Sequence, residues 1–348
     1  MVRGPSYGDE VRLNLKSLLS KPKTVLILGH HNADPDAVCS MIAFSGLLKT
    51  VNPDVSCTLA CDDVSRLSKQ VVSIFSPEVE ILEKIEGDNY DLTVVLDTNS
   101  HLQLGSMFEK YLIDPSRVLV IDHHEENPAI SELAEHVIVK SDLTSTCELL
   151  TELFDKLEIK INEQIANLLL TGMIFDTRRF VYADKNTLAL SVRLIEHGAN
   201  YQRCVSSLVI RPDRSERIAR LKAAGRLKIH PIGDWVIVTA KVGAYEASAC
   251  RGLIGLGADV AIVGGKPTKE IVRISARSTT EFFENTGVNL GKDVLAPLGE
   301  IIDGKGGGHP NAAGANGTRN RKAALSRSVE IIRAMLKESA AGAIKEST

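Results

Sequence analysis

Val25-Leu26-Ile27-Leu28-Gly29-His30-His31-Asn32-Ala33-Asp34-Pro35-Asp36-Ala37 is the stretch from which the fold can be read. Four consecutive apolar residues, two of them β-branched, describe a strand buried on both faces, as inside a parallel sheet. A glycine and a polar loop follow, and Ala37 to Leu48 then has a helical pattern. The unit recurs: Val94-Val95-Leu96 runs into Asp97, and Val118-Leu119-Val120-Ile121 runs into Asp122-His123-His124. Helical patterns intervene, among them Ser145 to Leu157 and one that Asn162 can N-cap, which delivers Asp176 at its far end. Strands alternating with helices predict an α/β domain with a mainly parallel sheet flanked by helices. In such sheets ligands bind beyond the carboxyl ends of the strands, which is where these acids and histidines fall.

A chain of 348 residues can build two domains, each with its own core. With 44% hydrophobic and 24% charged residues, it has the composition of an ordinary globular protein. No apolar run approaches the roughly 20 residues needed to span a bilayer. The opening MVRGPSYGDEVRLN lacks the apolar core of a signal peptide. A cytoplasmic protein with no membrane partner is expected. Six cysteines (Cys39, Cys57, Cys61, Cys147, Cys204 and Cys250) have no histidine placed to complete a zinc site and read as reduced packing residues. A net charge of −3 argues against a strongly basic, DNA-coating protein but leaves room for a local basic groove.

The first domain reads as residues 1–195. Residues 196–230 read as a linker and connecting helix: Arg203 to His230 holds eight Lys/Arg against two acids, with a break at Arg211-Pro212-Asp213. After Gly233 the pattern restarts, with strands at Trp235 to Ala240, Val260 to Val263 and Ile271 to Ala276 and a helix at Ser248 to Leu256. A glycine cluster at Gly304, Gly306, Gly307 and Gly308 precedes a last helix from Arg321 to about Lys337. These elements make a second, smaller α/β domain over 231–340, and the tail 341–348 is expected to fray.

Asp34 and Asp36 repel each other unless a cation or proton lies between them. Carboxylates with imidazole suit manganese, or magnesium where nitrogen is fewer. The same residues also fit an Asp-Pro-Asp turn in which Asp36 caps the following helix. Asp97 alone is a weak signal. Adjacent side chains on an extended segment point opposite ways, so His123 and His124 should do different jobs. Asp176 ends the otherwise apolar Thr171-Gly172-Met173-Ile174-Phe175. Together these groups suffice for two metals about 3.5–4 Å apart that share a bridging Asp. In the second half, backbone N–H groups of the glycine run can approach a phosphate closely, and Arg277 offers a bidentate fork. Arg178-Arg179 is either solvated surface charge or a further contact to phosphates. Gly264-Gly265-Lys266-Pro267 lacks the spacing of a P-loop, and no ATP or NAD site is read.

The sequence resembles the DHH phosphoesterases that carry a DHHA1 domain. His30-x-x-x-Asp34-x-Asp36-Ala37 is similar to the family's first motif, Asp97 to its second, Asp122-His123-His124 to its third and Asp176-Thr177 to its fourth. Ser145-Thr146-Cys147-Glu148 fits its Ser-Thr-x-Glu stretch. Val272 to Ser278 resembles the DHHA1 phosphate-contact strand, and Gly306-Gly307-Gly308-His309-Pro310-Asn311-Ala312-Ala313-Gly314 its glycine-rich signature. Cys39 departs from the family's usual glycine. The resemblance implies two Mn2+ per active site, with Mg2+ or Co2+ as alternatives: one on His30, Asp34 and Asp97, the other on Asp36, Asp97, His123 and Asp176. It makes Asp97 the bridge, turns His124 toward the scissile phosphate and has Asp122 orient the imidazoles, these three forming the catalytic group. His31 stays open as a ligand, although the motif's spacing selects His30. Ser275, Arg277, Gly307, Gly308 and His309, with Arg178 from the first domain, would bind substrate in a cleft between the domains. The expected activity is a manganese-dependent exonuclease or oligonucleotidase on short oligonucleotides or single-stranded DNA or RNA. The alternative is a small-molecule phosphoesterase, taking adenosine 3′,5′-bisphosphate or a cyclic dinucleotide. The resemblance also implies a homodimer or higher homo-oligomer and, for some relatives, a repair helicase as partner.

Overall fold

The structure, a computed structural model, describes residues 15–85, 87, 89–105, 109–129 and 134–346. The N-terminal stretch read as lacking a leader core, and the last two residues of the tail, lie outside the described residues. The chain forms two compact units, residues 1–210 and 211–348.

In the first unit, strands β1 (Thr24–Leu28), β2 (Ser56–Ala60), β3 (Ile81–Leu82), β4 (Leu92–Leu96), β5 (Val118–Asp122) and β6 (His136–Val139) form one sheet in the order β3-β2-β1-β4-β5-β6. Every pairing is parallel. The winding reverses between β1 and β4, and such a reversal opens a crevice at the strands' carboxyl ends. The helices are α1 (Pro35–Val51), α2 (Arg66–Phe75), α3 (Thr146–Lys156), α4 (Glu163–Asp176), α5 (Lys185–Glu196) and α6 (Tyr201–Ser207). The main core joins Val25, Ile27 and Val94 of the sheet to Phe44, Phe154 and Leu169 of α1, α3 and α4. A smaller cluster with Leu26, Leu28, Val95 and Val120 covers the other face. Strands buried on both faces explain the unbroken apolar runs.

Side chains start the helices that serve the crevice. Ser145 accepts from the Glu148 amide, and Asn162 from that of Ile165. Asp34, not Asp36, caps α1, accepting from the amides of Asp36 and Ala37. Pro35 takes the first helical position, so Asp36 falls inside the first turn and is free for another task.

The stretch 196–230, expected to connect the domains, divides at Ile210. Its first part belongs to the first unit, where Gln70 Nε2 donates to the carbonyls of Ser207 and Val209 and Arg203 donates to that of Ile74. Helix α7 (Arg214–Ala224) belongs to the second, tied by Arg220 Nε to Ser248 Oγ at 2.7 Å. The second unit continues with β7 (Lys228–Ile232), β8 (Trp235–Lys241), α8 (Glu246–Ile254), β9 (Val260–Gly265), β10 (Val272–Ser278), α9 (Thr280–Thr286), a π-helical turn at Leu290–Leu295, α10 (Ala296–Ile301), β11 (Lys305–His309), β12 (Ala312–Gly317) and α11 (Arg321–Glu346). Its sheet runs β11-β12-β10-β9-β8-β7, with only β8 and β9 parallel among these pairs. The tail expected to fray is helical to Glu346. Alanine-rich sequence there favours helix strongly enough to carry α11 on.

Gly306, Gly307 and Gly308 form the edge strand β11 rather than a loop. Their reasons differ. A Cβ on Gly306 would run into the Leu295 carbonyl, whereas one on Gly307 would meet nothing within 4 Å. Gly306→Ala is therefore expected to cost about 1–3 kcal/mol of folding stability, and Gly307→Ala to stay within about 0.5 kcal/mol. Chemical denaturation of the two variants checks this.

Candidate metal centre

The loop after β1 brings His30 and Asp34 to the crevice, and the end of β4 brings Asp97. Asp97 sits in left-handed backbone (φ 62°) with its amide on the Ile121 carbonyl, a conformation short polar residues tolerate. That twist turns the carboxylate into the crevice, where it is 2% exposed. Its Oδ2 lies 3.7 Å from His30 Nε2 and its Oδ1 3.6 Å from His123 Nε2. His30 Nε2 is 3.9 Å from Asp34, and His123 Nε2 is 3.2 Å from Asp176 at the end of α4.

Three overlapping donor sets result, each with its ligand atoms within 4.8 Å of one another. One is His30, Asp34 and Asp97; the second is Asp36, Asp97, His123 and Asp176; the third, Asp97, His123 and His124, overlaps the second. Asp97 belongs to all three. His31 joins none: it is 60% exposed and its Nδ1 lies 2.8 Å from Asp62.

The amino end of α3 supplies what the motif positions do not. The Thr146 hydroxyl donates to Asp97 Oδ1 at 2.8 Å, and the amides of Thr146 and Cys147 donate to the fully buried Asp36 at 2.7 and 3.2 Å. A side chain on Gly172 of α4 would collide with Cys147 Sγ and Asp36 Oδ1, so this glycine makes room for the carboxylate. The sequence pattern assigns no role to Thr146 or Gly172; its one local signal is Ser145-x-x-Glu148, a capping-box spacing that marks a helix N-terminus.

His123 and His124 do not point opposite ways; their rings are 4.3 Å apart. The strand ends at Asp122, so the two-residue alternation no longer applies. Their partners separate them instead. His123 Nδ1 approaches the Leu143 carbonyl at 3.4 Å, leaving Nε2 to the crevice. His124 Nδ1 is held by buried Asp122 at 2.8 Å while its side chain is 56% exposed, so Nε2 is available to a ligand. A carboxylate or carbonyl on one ring nitrogen fixes the tautomer that frees the other. His30 follows the same rule, with Nδ1 on the His31 carbonyl at 2.8 Å.

Carboxylate oxygens within 4.8 Å repel by roughly 3.5 kcal/mol per pair at an effective dielectric near 20. A charge-assisted hydrogen bond returns about 1.5–3 kcal/mol, so amides and hydroxyls alone do not balance the cluster. The titration pattern shows the imbalance. Burial and the charges of Asp97 and Asp176 raise Asp34 to about 6 and push Asp36 well above the carboxylate range. Asp176 is also pushed up, chiefly by burial. Burial pushes the His30 imidazole down, but the nearby Asp97 carboxylate, the His31 carbonyl and Asp34 outweigh it and lift His30 to about 9. His123 goes the same way, to about 10, with Asp176, Asp36 and Asp97 responsible. Burial would also raise Asp97, but His30, His123 and Thr146 hold it below its ordinary value. The Asp122 hydrogen bond raises His124 against burial.

One further observation fits a divalent cation. His123 Nε2 is buried with no hydrogen-bond partner, since its 3.2 Å approach to Asp176 is close but poorly aligned. Buried polar atoms are rarely left so. The donor sets, carboxylates with one imidazole in two of them and with two in the third, match a hard to borderline divalent ion.

The other predicted residues lie elsewhere. Arg178 follows Asp176 within a left-handed run, Arg178 to Phe180 (φ 48°, 60° and 67°), and its guanidinium stands over the Tyr182 ring at 5.2 Å. In the second unit, strand register aligns Arg277 with Ala312 and His309, and Ser275 with Gly314 and Gly307. Directly opposed residues share a face, so Ser275, Arg277 and His309 surround backbone bare at Gly307 and Gly314. Gly308 belongs to the alternate face, has φ 139° and packs on Ala313.

The sequence matches the DHH family, N-terminal domain, over residues 24–173 and the DHHA1 domain over residues 242–338. It is 33% identical over 301 residues to uncharacterized protein MJ0988 of Methanocaldococcus jannaschii, covering 85% of this chain and 88% of that one. The bifunctional oligoribonuclease and PAP phosphatase NrnA of Thermus thermophilus is 27% identical over 320 residues, 89% of each chain. The probable manganese-dependent inorganic pyrophosphatase of Bacillus licheniformis is 29% identical over 158 residues, 45% of this chain and 48% of that one.

Removing the Thr146 hydroxyl frees one oxygen of Asp97, and loss of such an orienting bond typically costs 10–100-fold in metal affinity. Thr146→Val should weaken Mn2+ binding by about that factor in calorimetry while keeping its amide on Asp36. The titrations give a second expectation for protein stripped by a chelator. His30 and His123, raised from 6.5 to about 9 and about 10, stabilise the fold fully below pH 6.5 and lose this as pH rises through those values. Asp34, raised from 3.8 to about 6, also stabilises least once ionised. Both signs agree: Tm of the stripped protein should fall from pH 5 to pH 9.5, and Mn2+ should restore more at the upper end. A flat Tm across this range would refute the charge assignment.

Proposed function

The chain belongs to the DHH family of phosphoesterases, and from that premise we propose that it hydrolyses phosphodiester bonds of short oligonucleotides or single-stranded DNA or RNA with two divalent ions, manganese before magnesium or cobalt. The observation that carries this reading is the sharing of Asp97 between two donor sets. His30, Asp34 and Asp97 would hold one ion, and Asp36, Asp97, His123 and Asp176 the other. When bound, such a pair neutralises charge on phosphoryl oxygens and lowers the pKa of water. The chain's own groups position everything else. Asp122 holds Nδ1 of His124 and raises the imidazole's pKa, so the charged ring would present Nε2–H to a phosphate oxygen. Thr146 and the α3 amides keep Asp97 and Asp36 aimed. Cys39 and Cys147, near Asp36, are pushed well above the ordinary thiol range by burial, so neither serves as a thiolate nucleophile.

Ser275, Arg277, Gly307 and His309 would bind substrate, with an Arg fork and bare backbone suited to phosphate, while Gly308, on the other face, would serve by letting β11 pack closely on Ala313. Arg178 is the first unit's candidate for a neighbouring phosphate. The oligoribonuclease in the name of the Thermus relative supports an oligonucleotide substrate. Its second name, PAP phosphatase, supports a small-molecule phosphoesterase as the second reading, with cyclic dinucleotides also to be tried.

Asp97→Asn is expected to abolish Mn2+-dependent hydrolysis at unchanged circular dichroism, because it removes charge from every donor set; wild-type turnover in that variant would end the two-ion reading. The substrate is decided on a panel of RNA di- to pentamers, adenosine 3′,5′-bisphosphate, a cyclic dinucleotide and an end-labelled strand of about 20 nucleotides, longer than a single-strand binding fold covers. Cleavage of the oligonucleotides supports the first reading. Turnover confined to the bisphosphate or the cyclic dinucleotide replaces it with the second.

A further inference from the structure

A groove of about 480 Å³ in the second unit, between β7, β8 and α11, is lined by Arg226, Lys228, His230, Lys241, Lys322 and Arg333. The chain as a whole is slightly acidic, with 41 Lys and Arg against 44 Asp and Glu, so this concentration is not the average surface. None of the five Lys and Arg forms an ion pair among the described residues. The one acid in the lining, Glu330, is taken by Arg327 at 2.9 Å.

The elements make this convergence. Lys228 and His230 alternate onto one face of β7, and Lys228 pairs with Thr239, whose face of β8 also carries Lys241. Lys322, Ser326 and Arg333 recur along one side of α11. Eleven residues of helix span roughly 16 Å, longer than one phosphate group can bridge. The lining has no Phe, Tyr or Trp to stack on a base, and its one imidazole, His230, is held by the Thr239 hydroxyl at 3.0 Å. Crowded, unpaired cations repel one another and favour a polyanion that neutralises several at once. Their effect is felt locally: burial, then Arg333 and Lys228, push His230 below its ordinary pKa.

We propose that this groove binds the phosphate backbone of a single-stranded nucleic acid without reading its bases. It is distinct from the face carrying Ser275 and Arg277. Val272, Ile274 and Ala276 of β10 share a core with Leu325, Val329 and Ile332 of α11, so Ser275 and Arg277, alternating with them, face away from that helix. The inference rests on the reading of the chain as an oligonucleotide phosphodiesterase. It adds a hold on longer strands that a dinucleotide cannot use.

The test measures fluorescence anisotropy of labelled oligothymidylate with the full chain in EDTA, across a salt series. Each phosphate contact contributes a slope of about −0.7 in log affinity against log salt for single strands. Lys228→Gln/Lys241→Gln/Arg333→Gln should reduce the slope by about two and weaken binding about tenfold or more in low salt. Lys156→Gln/Lys160→Gln/Lys185→Gln, three exposed cations of the first unit, should leave both unchanged. Thermal melts confirm that both triple variants fold, and Mn2+-dependent dinucleotide hydrolysis should match wild type in each. Equal loss in both variants, wild-type strand binding by the groove variant, or complete displacement of the strand by inorganic phosphate at matched phosphate concentration overturns the proposal. Absence of dinucleotide hydrolysis in the wild type removes the catalytic reading alone, because strand binding is measured without metal.

Discussion

Carboxylate crowding around Asp97 is the constraint on which the first unit depends. Asp34 with Asp36, Asp97 and Asp176 come from three separated points of the chain and are brought within ligand distance of two histidines. Burying such charge without compensation is prohibitive. The fold supplies part of the compensation through the Thr146 hydroxyl and the α3 amides. Those donors require the amino end of α3 at the carboxyl edge of the sheet, which in turn requires its Ser145 cap and a side-chain-free Gly172 beside it. What remains uncompensated is the demand for cations that the raised carboxyl and imidazole pKa values express.

A second buried carboxylate shows the contrast. Glu148 is fully buried, yet it accepts from the Thr144 amide and hydroxyl, the Thr187 hydroxyl and the Asn186 amide group. With four donors it has no need of an ion, and it fastens the loop before α3 to the start of α5. Burial alone therefore does not mark a ligand in this molecule. The difference is whether the donors around a carboxylate are dipoles that suffice or imidazoles whose free nitrogens face other acids.

In the second unit, strand alternation gives one sheet two faces of different composition. The row holding Ser275, Arg277 and His309 lies around bare glycine backbone, while the α11 face carries the core and, at the β7 edge, unpaired cations. The glycine run reflects the same economy of space. Gly306 admits the Leu295 carbonyl, and Gly307 is open, so one motif combines packing and exposure.

The sequence by itself determined the interior strands β1, β4, β5, β8, β9 and β10, the helices α1, α3, α4, α8 and α11, and the positions of the acids and histidines relative to strand ends, because periodicity and capping are local properties. The short or edge strands, β2, β3, β6, β7 and β12 among them, carry too weak a pattern to be read. Apolar β-branched runs could only be interior parallel strands, and Asn162 could be read as a cap from its own neighbourhood. The ligand sets came from motif resemblance; a lone Asp97 after a strand said little until its neighbours were known. Tertiary structure decided the rest. Only the sheet order puts β1 beside β4 and so brings Asp97 next to His30, 67 positions away in a chain whose local pattern carries no trace of that pairing. Only packing shows that Asp34 rather than Asp36 is the cap, that Thr146 holds Asp97, and that His123 and His124 share a side once the strand has ended. The basic groove was likewise invisible, because its cations lie on three elements and the turn before β7 and converge only when β7, β8 and α11 are folded together.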